Sequence, residues 1–195
     1  MLIFVEWFSR MKNVNVLDLG RWKSSEQHHI VREFSLENHI EVESTEFLKG
    51  LKIIKCLRLL CLQGISRIEE FPNSIGKITN LRILDLKACH NMEAFPDGIA
   101  LLKKLSHRDI SKCYLFCMPK EIASLSELEV LKGFVVGNLE SYRNNNYLGL
   151  PQKFLGGICF PQKRNSCTLE DLIKFKKLRK LSIKTSGKAF LQRKS

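Results

Sequence analysis

Cysteine and histidine are the residue types in this chain with the most specific potential chemistry, because both can bind zinc and both can serve in nucleophilic catalysis. The chain holds 7 cysteines and 5 histidines. Cys113 and Cys117 have a CxxxC spacing with His107 nearby, but no second pair with ligand spacing exists, which argues against a zinc site. The odd cysteine number and the lack of an export signal predict reduced thiols and a cytoplasmic protein.

Motifs for phosphate binding and acyl transfer are missing from the sequence. The fragments Gly76-Lys77 and Gly187-Lys188 lack the glycine five residues earlier that a phosphate-binding loop needs. Neither GxGxxG nor the GxSxG nucleophile elbow occurs. We therefore predict a protein that is not an enzyme and that holds no cofactor and no metal in this chain.

Length and hydropathy place the chain among globular proteins. It has 195 residues, of which 44% are hydrophobic, enough for one domain or a short solenoid with a real core. No apolar run approaches the roughly 18 residues that a membrane span needs. Residues 1–10 have no basic start, and Glu6 interrupts their apolar run, so they do not form a signal peptide.

Positive charge is concentrated near the C-terminus. The net charge is +12, and residues 168–195 contribute nine basic and two acidic side chains to it. Such a tail could bind the phosphates of a nucleic acid, but it has few aromatic residues for base stacking, and a solvated surface explains it better. Nucleic-acid binding is therefore the alternative interpretation. It would involve Lys174, Lys176, Lys177, Arg179, Lys180, Lys184 and Lys188.

An internal repeat predicts the elements that position these side chains. Segments of the form LxxLxL begin at Leu57 and Leu81, and related segments begin at Leu105 (LSHRDI) and Leu128 (LEVLKG), with the first three starts 24 residues apart. An apolar residue followed by proline keeps nearly the same step, at Phe71-Pro72, Phe95-Pro96 and Met118-Pro119. This is the leucine-rich-repeat pattern. It predicts an α/β solenoid with short parallel strands on the concave face and loops and short helical turns on the convex face.

Three regions follow from the repeat. Residues 1–137 form leucine-rich repeats, with a weak first copy around Leu17 and a polar insertion at about 21–45 that could hold one more strand near Phe34. Residues 138–167 break the period and predict an irregular loop or disordered insertion. Residues 168–195 form a further repeat and the basic tail, without a polar cap, as expected of a piece of a longer protein.

Alternation along each strand predicts which side chains face outward on the concave surface. We expect Asp85 and Asp109 to be neighbours on one charged row, and Ile83 and Val130 to be neighbours of His107 on a mostly apolar row. A mixed apolar and charged surface suits a protein partner better than a small substrate. The outward set is Val16, Asp18, Leu59, Cys61, Gln63, Ile83, Asp85, Lys87, His107, Asp109, Ser111, Val130, Lys132 and Phe134.

Two residues depart from the pattern. Arg108 stands where the other repeats place a buried leucine, and Gly133 stands at another buried leucine position. A buried arginine needs a partner, and Asp109 points the other way. We therefore expect the third repeat to be locally irregular.

Several segments resemble the leucine-rich-repeat domain of plant coiled-coil NLR disease-resistance proteins, most closely the HopZ-activated resistance type. The resemblance covers most of residues 7–137 and 168–185. The segments that carry it are Leu17–Trp22 (LDLGRW), His39–Ser44 (HIEVES), Gly64–Ile68 (GISRI), Leu84–Pro96 (LDLKACHNMEAFP) and Leu128–Gly137 (LEVLKGFVVG).

The resemblance implies a non-catalytic recognition module of an immune receptor. Such a domain packs on a nucleotide-binding domain to keep the receptor inactive, and it binds receptor-like cytoplasmic kinases or pseudokinases that sense pathogen effectors. The receptor reaches the plasma membrane on activation. The ADP/ATP site belongs to a domain outside this chain, so no nucleotide is expected here. A truncated gene product without independent function is a further alternative.

The residues predicted to contact a protein partner combine the concave set with Trp22 and His90, which the resemblance adds at the rim. They are Trp22, Leu59, Cys61, Gln63, Ile83, Asp85, Lys87, His90, His107, Asp109, Val130 and Lys132.

Overall fold

A computed structural model describes most of the repeat region. The described residues are 8, 10–20, 45–92, 95–113, 115, 118–135 and 166–184. Trp22, the possible strand near Phe34, nearly all of the 138–167 segment and residues 185–195 lie outside the described residues.

Six short strands form one parallel sheet in chain order, as the repeat predicts. The pairing keeps the residues predicted to be equivalent side by side: Leu60, Leu84, Arg108 and Leu131 occupy one row across four strands. The strands are β1 (Val16–Asp18), β2 (Leu59–Cys61), β3 (Ile83–Asp85), β4 (His107–Asp109), β5 (Val130–Val135) and β6 (Lys180–Lys184). The α/β solenoid is therefore confirmed.

Proline sets the start of the return segment in three repeats. Pro72, Pro96 and Pro119 are extended, and each is followed directly by a 3₁₀ helix whose first turn bonds back to the proline carbonyl. Proline fits there because it lacks the N–H that a helix start leaves unpaired. The helical elements are α1 (Phe47–Gly50) and the 3₁₀ helices Leu51–Ile53, Asn73–Lys77, Asp97–Leu101, Lys120–Ser124 and Glu170–Lys174. Within the described residues, none of the helices could cross a bilayer.

The sheet continues across both long insertions. β1 pairs directly with β2, and β5 pairs directly with β6, although many residues separate the members of each pair in sequence. One hydrophobic core runs beneath the sheet from Phe8 to Phe175. Stacked repeats share that core, because no single repeat can bury its own apolar edge.

A bulge in β5 overturns one expectation about the concave face. Alternation predicts that Phe134 faces outward, but Phe134 is fully buried. The register shifts between Lys132 and Phe134, where Gly133 has a φ of 80°. The extra residue returns the next side chain to the core side, so Phe134 fills the place that leucine takes in other repeats.

Arg108 is the most unusual core residue. β4 keeps regular pairing with both neighbours, so the irregularity expected there is absent from the strand. The guanidinium is fully buried, and its Nε, Nη1 and Nη2 atoms have no hydrogen-bond partner in the described structure. Its Cζ lies 3.8 Å from the centroid of the Phe95 ring, a cation–π contact. The ring replaces the polar partner that a buried arginine normally requires.

Candidate functional site

Two parallel rows of side chains cover the concave face. Pairing across the sheet places Leu59, Ile83, His107 and Val130 in one row. The second row is Asp18, Cys61, Asp85, Asp109 and Lys132. Both rows have the order predicted from the 24-residue repeat.

The aspartates of the second row, the charged row, form hydrogen bonds with the backbone that the sequence analysis did not predict. Oδ1 of Asp85 accepts a hydrogen bond from the N–H of Lys87 at 3.0 Å, and Oδ1 of Asp109 accepts one from Ser111 at 3.0 Å. Asp18 has the same contact with Gly20 at 3.3 Å. Such bonds turn the chain as it leaves the strand. The recurring aspartate at the third strand position was the available signal.

Most of the charge in this row is already satisfied within the sheet. Nζ of Lys132 lies 2.8 Å from Oδ2 of Asp109. Partial burial raises the pKa of Asp109, but the bonds from Lys132 and Ser111 outweigh it and leave that pKa below its ordinary value. The hydrogen bond between Lys132 and Asp109 raises the pKa of Lys132. Asp85 accepts a hydrogen bond from the side-chain amide of Gln63 and forms no salt bridge among the described residues.

Cys61 is less accessible than predicted. Its side chain is 9% exposed, and its Sγ lies 3.7 Å from the carbonyl oxygen of Gly20. Burial raises its pKa to about 12. Because the chain leaving β1 covers the thiol, Cys61 contributes little to the accessible surface of the concave face, and its partner contact stays a prediction.

A shallow groove of about 150 Å³ lies between β3 and β5. Small-molecule sites usually have volumes of about 300–1,000 Å³, so this groove has room for one side chain of a partner rather than for a substrate. Its walls are formed by Ile83, Leu84, Asp85, His107, Arg108, Asp109, Val130 and Lys132. Leu84 and Arg108 have buried side chains, so the accessible lining comes from the other six.

The groove contains half of the predicted contact residues. Leu59, Gln63 and Lys87 are half-buried on the same face but do not line it. His90 is half-buried in the turn after β3 and also lies outside the lining. The partner-binding role of all these residues stays a prediction.

A sequence model of the family described as "Leucine-rich repeat region" matches residues 9–149, which is most of the chain. The chain belongs to the leucine-rich repeat family. Members of this family are generally protein-interaction modules without catalytic activity.

Solved structures support the same fold. A leucine-rich-repeat protein of Leptospira interrogans aligns over 91% of this chain with a TM-score of 0.56 and 17% identity. This chain spans 34% of the length of that protein. At 17% sequence identity, the similarity between these two proteins shows only that they share a fold. No curated protein matches the sequence.

The repeat cysteines are buried as predicted. Cys89 and Cys113 each donate from Sγ to a backbone carbonyl of the preceding repeat, Leu62 and Leu86 respectively, at 3.1 Å. Burial raises the pKa of Cys89, and it raises that of Cys113 to about 12. Among the described residues no group of three histidine, cysteine or acidic side chains could hold a metal ion. Cys117, the second cysteine of the CxxxC spacing, lies outside them.

The rate of thiol alkylation should distinguish the buried repeat cysteines from an exposed cysteine. We expect iodoacetamide to modify exposed Cys56 on the order of a hundredfold or more faster than Cys89 and Cys113, because only a thiolate reached by solvent reacts. Peptide mass spectrometry at timed intervals measures each rate. In denaturant the rates should converge, and equal rates in buffer would show that the core is open.

Asp109 allows its two interactions to be measured separately. Asp109→Asn keeps an acceptor for the Ser111 N–H but removes the charge opposite Lys132, whereas Asp109→Ala removes both. We expect alanine to lower the free energy of unfolding by about 1 kcal/mol more than asparagine does. Urea denaturation checks this, and equal losses would show that the turn bond contributes nothing.

The same asparagine variant predicts a pH effect. The folded pKa of Asp109 lies below the ordinary value of 3.8. The stability gained from the charge is therefore complete above that value and is lost as pH falls through the folded pKa. The difference in the free energy of unfolding between wild type and Asp109→Asn should therefore disappear in acid. A gap that is unchanged between neutral pH and about pH 2.5 would contradict the shift.

Two lysines of the basic tail form ion pairs with acidic residues of the same chain. Lys174 pairs with Asp171 at 2.6 Å, and Lys177 pairs with Glu127 at 2.7 Å. These two lysines therefore serve contacts within the last repeats. Lys188 lies outside the described residues.

Proposed function

We propose that this leucine-rich-repeat chain is a protein-recognition module of a plant immune receptor. In this role its concave groove binds a receptor-like cytoplasmic kinase or pseudokinase, and the domain contributes to autoinhibition and to effector recognition. The plant immune assignment rests on the sequence segments that resemble coiled-coil NLR proteins. The binding surface rests on the groove between β3 and β5.

The chemistry of the groove supports a protein partner. An aliphatic row that includes Ile83 and Val130 lies beside a charged row, and interfaces combine apolar contact with a few oriented polar groups in this way. Among the described residues Asp109 forms an ion pair with Lys132, whereas Asp85 accepts hydrogen bonds from the neutral Gln63 amide and from the Lys87 N–H. Asp85 is therefore the position where a basic side chain of the partner would bind.

Pull-down from plant lysate tests the proposal with two matched variants. Val130→Glu places an acid on the groove wall, and Leu101→Glu places one on the convex side, where Leu101 is 58% exposed. We expect a kinase-like protein to be retained by wild type and by Leu101→Glu and to be lost by Val130→Glu. Mass spectrometry identifies the retained proteins, and circular dichroism verifies that each variant is folded.

Two results would refute the proposal. Retention of the kinase-like protein by Val130→Glu would exclude the groove as its binding surface. Absence of any kinase-like partner from folded wild type would favour a truncated product without independent function.

A further inference from the structure

The groove between β3 and β5 has an apolar end and a charged end. Ile83 and Val130 form apolar walls where the strands begin. Asp85, Asp109 and Lys132, two positions later on the same strands, form the charged end. A side chain with an apolar stem and a polar tip matches this division.

The charged end has more negative than positive charge on the groove side of the sheet. Asp85 and Asp109 are direct neighbours across β3 and β4. Among the described residues that line the groove, Lys132 is the one basic side chain that faces these carboxylates. Arg108 is also a lining residue, but its buried guanidinium packs against Phe95 on the core side of the sheet. Two neighbouring carboxylates therefore share one ammonium group.

Lys132 occupies the place that a cation from outside would take. Its Nζ lies 2.8 Å from Oδ2 of Asp109, and its side chain is 36% exposed. The bond to Asp109 raises the pKa of Lys132, partial burial opposes this, and the charge of Asp85 adds to the rise. Because solvent reaches the ammonium group, another cation can displace it without leaving a buried charge behind. Lys132 is thus a competitor built into the groove.

Asp85 can accept a further hydrogen bond. Its Oδ1 accepts one from the N–H of Lys87, and its Oδ2 accepts one from the side-chain amide of Gln63. A carboxylate has about four acceptor positions, so these two neutral donors leave room for another donor. A lysine of a partner would bring a point charge, whereas the planar guanidinium of arginine can donate to two adjacent carboxylates at once.

We propose that the groove between β3 and β5 binds an arginine side chain of the protein partner. The methylene stem of that arginine lies between Ile83 and Val130. The guanidinium bridges the carboxylates of Asp85 and Asp109, in competition with Lys132. This inference rests on the proposed function, because both use the same groove, but it can be tested without the kinase-like partner.

A titration of the full chain, followed by nuclear magnetic resonance, tests the inference. The probe is the tripeptide glycine-arginine-glycine with blocked ends, so that the guanidinium is its only charge. Two comparison peptides replace arginine by lysine or by citrulline, its uncharged isostere. We expect the arginine peptide to shift the amide signals of β3, β4 and β5 with a Kd on the order of millimolar. The lysine peptide should bind about threefold more weakly, and the citrulline peptide about tenfold or more.

Two groove variants should change this affinity in opposite directions. Asp85→Asn keeps an acceptor for the Lys87 N–H but removes the charge, and should weaken binding of the arginine peptide about tenfold. Lys132→Met removes the competing ammonium group, and should strengthen binding about threefold. The matched controls, Asp97→Asn and Lys52→Met, make the same changes in charge at exposed residues of two 3₁₀ helices and should leave the Kd unchanged. The dispersion of the amide signals verifies that each variant is folded.

Each of three results would overturn the inference. Equal affinity for the arginine and citrulline peptides would show that the groove does not recognise the charge. Equal effects in the groove variants and their controls would show general electrostatic attraction. Weaker binding by Lys132→Met would show that the lysine is part of the site and not a competitor.

The failure of this inference and the failure of the proposed function are distinguishable. Loss of the kinase-like protein by Val130→Glu, without binding of the arginine peptide, would support the proposed function and refute the arginine contact. Binding of the arginine peptide in the groove, without any kinase-like partner in lysate, would support the arginine contact and refute the proposed function.

Discussion

Replacing Arg108 by leucine should raise the free energy of unfolding by about 2–4 kcal/mol. Arg108 is fully buried, its three side-chain nitrogens lack hydrogen bonds within the described part of the chain, and its guanidinium packs against the Phe95 ring. Leu84 and Leu131 occupy the equivalent positions on the adjacent strands, so leucine fits the row. The lost cation–π contact and a small cavity offset part of the gain. Urea denaturation at neutral pH measures the difference.

Arg82→Leu is the matched control, because it makes the same chemical change at an exposed arginine. Its effect should stay within about 0.5 kcal/mol. A loss of stability in Arg108→Leu would mean that the guanidinium has a favourable partner besides Phe95. A higher free energy of unfolding in Arg108→Leu, together with no increase in Arg82→Leu, would identify burial of the charge as the cause.

The gain from Arg108→Leu should also depend on pH. Burial lowers the pKa of Arg108 to about 9, from 12.5, and the nearby Cys113 and Cys167 only partly counter this. Below the folded pKa the charged group destabilises the fold fully. As pH rises through about 9, the folded chain releases the proton while the unfolded chain keeps it, so wild type becomes more stable. The advantage of leucine should shrink between pH 7 and about pH 10.5, and a constant advantage would contradict the shift.

The rows of the concave face could be predicted because a 24-residue period fixes equivalent positions without any knowledge of packing. Asp85 and Asp109 are neighbours for this reason. The accessibility of those positions could not be predicted in the same way. Cys61 is covered by the chain after β1, which follows a different spacing. Alternation also cannot reveal that the aspartates bond to their own turns.

Phe134 shows where counting along a strand fails. Alternation assumes one residue for each position of the neighbouring strand, and a bulge breaks this assumption. Gly133 was the available signal, since glycine inside a strand often marks a bulge or a close backbone approach. Its departure from the leucine pattern was visible in the sequence, but the direction of the next side chain depends on φ, which the sequence does not specify.

Gly133→Ala should lower the free energy of unfolding by about 3 kcal/mol or more. The positive φ of 80° alone costs a residue with a Cβ about 1–3 kcal/mol. A Cβ at this position would also lie 2.7 Å from the backbone carbon and oxygen of Ile110, and backbone atoms of a paired strand cannot move aside easily. Relief of the clash requires loss of the bulge, which would remove Phe134 from the core and loosen β6.

Gly64→Ala is the control that separates the cost of the positive φ from the cost of the steric clash with Ile110. Gly64 also has a positive φ, of 74°, but the equivalent residues one and two repeats later are Ala88 and Lys112, with φ of 62° and 64°. A side chain is therefore tolerated at that turn, and Gly64→Ala should cost about 1 kcal/mol through backbone strain alone. Urea denaturation compares the two variants, and hydrogen exchange at β6 reports on the last repeat. Equal losses in both variants would show that the contact with Ile110 can relax, whereas a larger loss at Gly133 with faster exchange in β6 would show that the bulge holds the final strand in register.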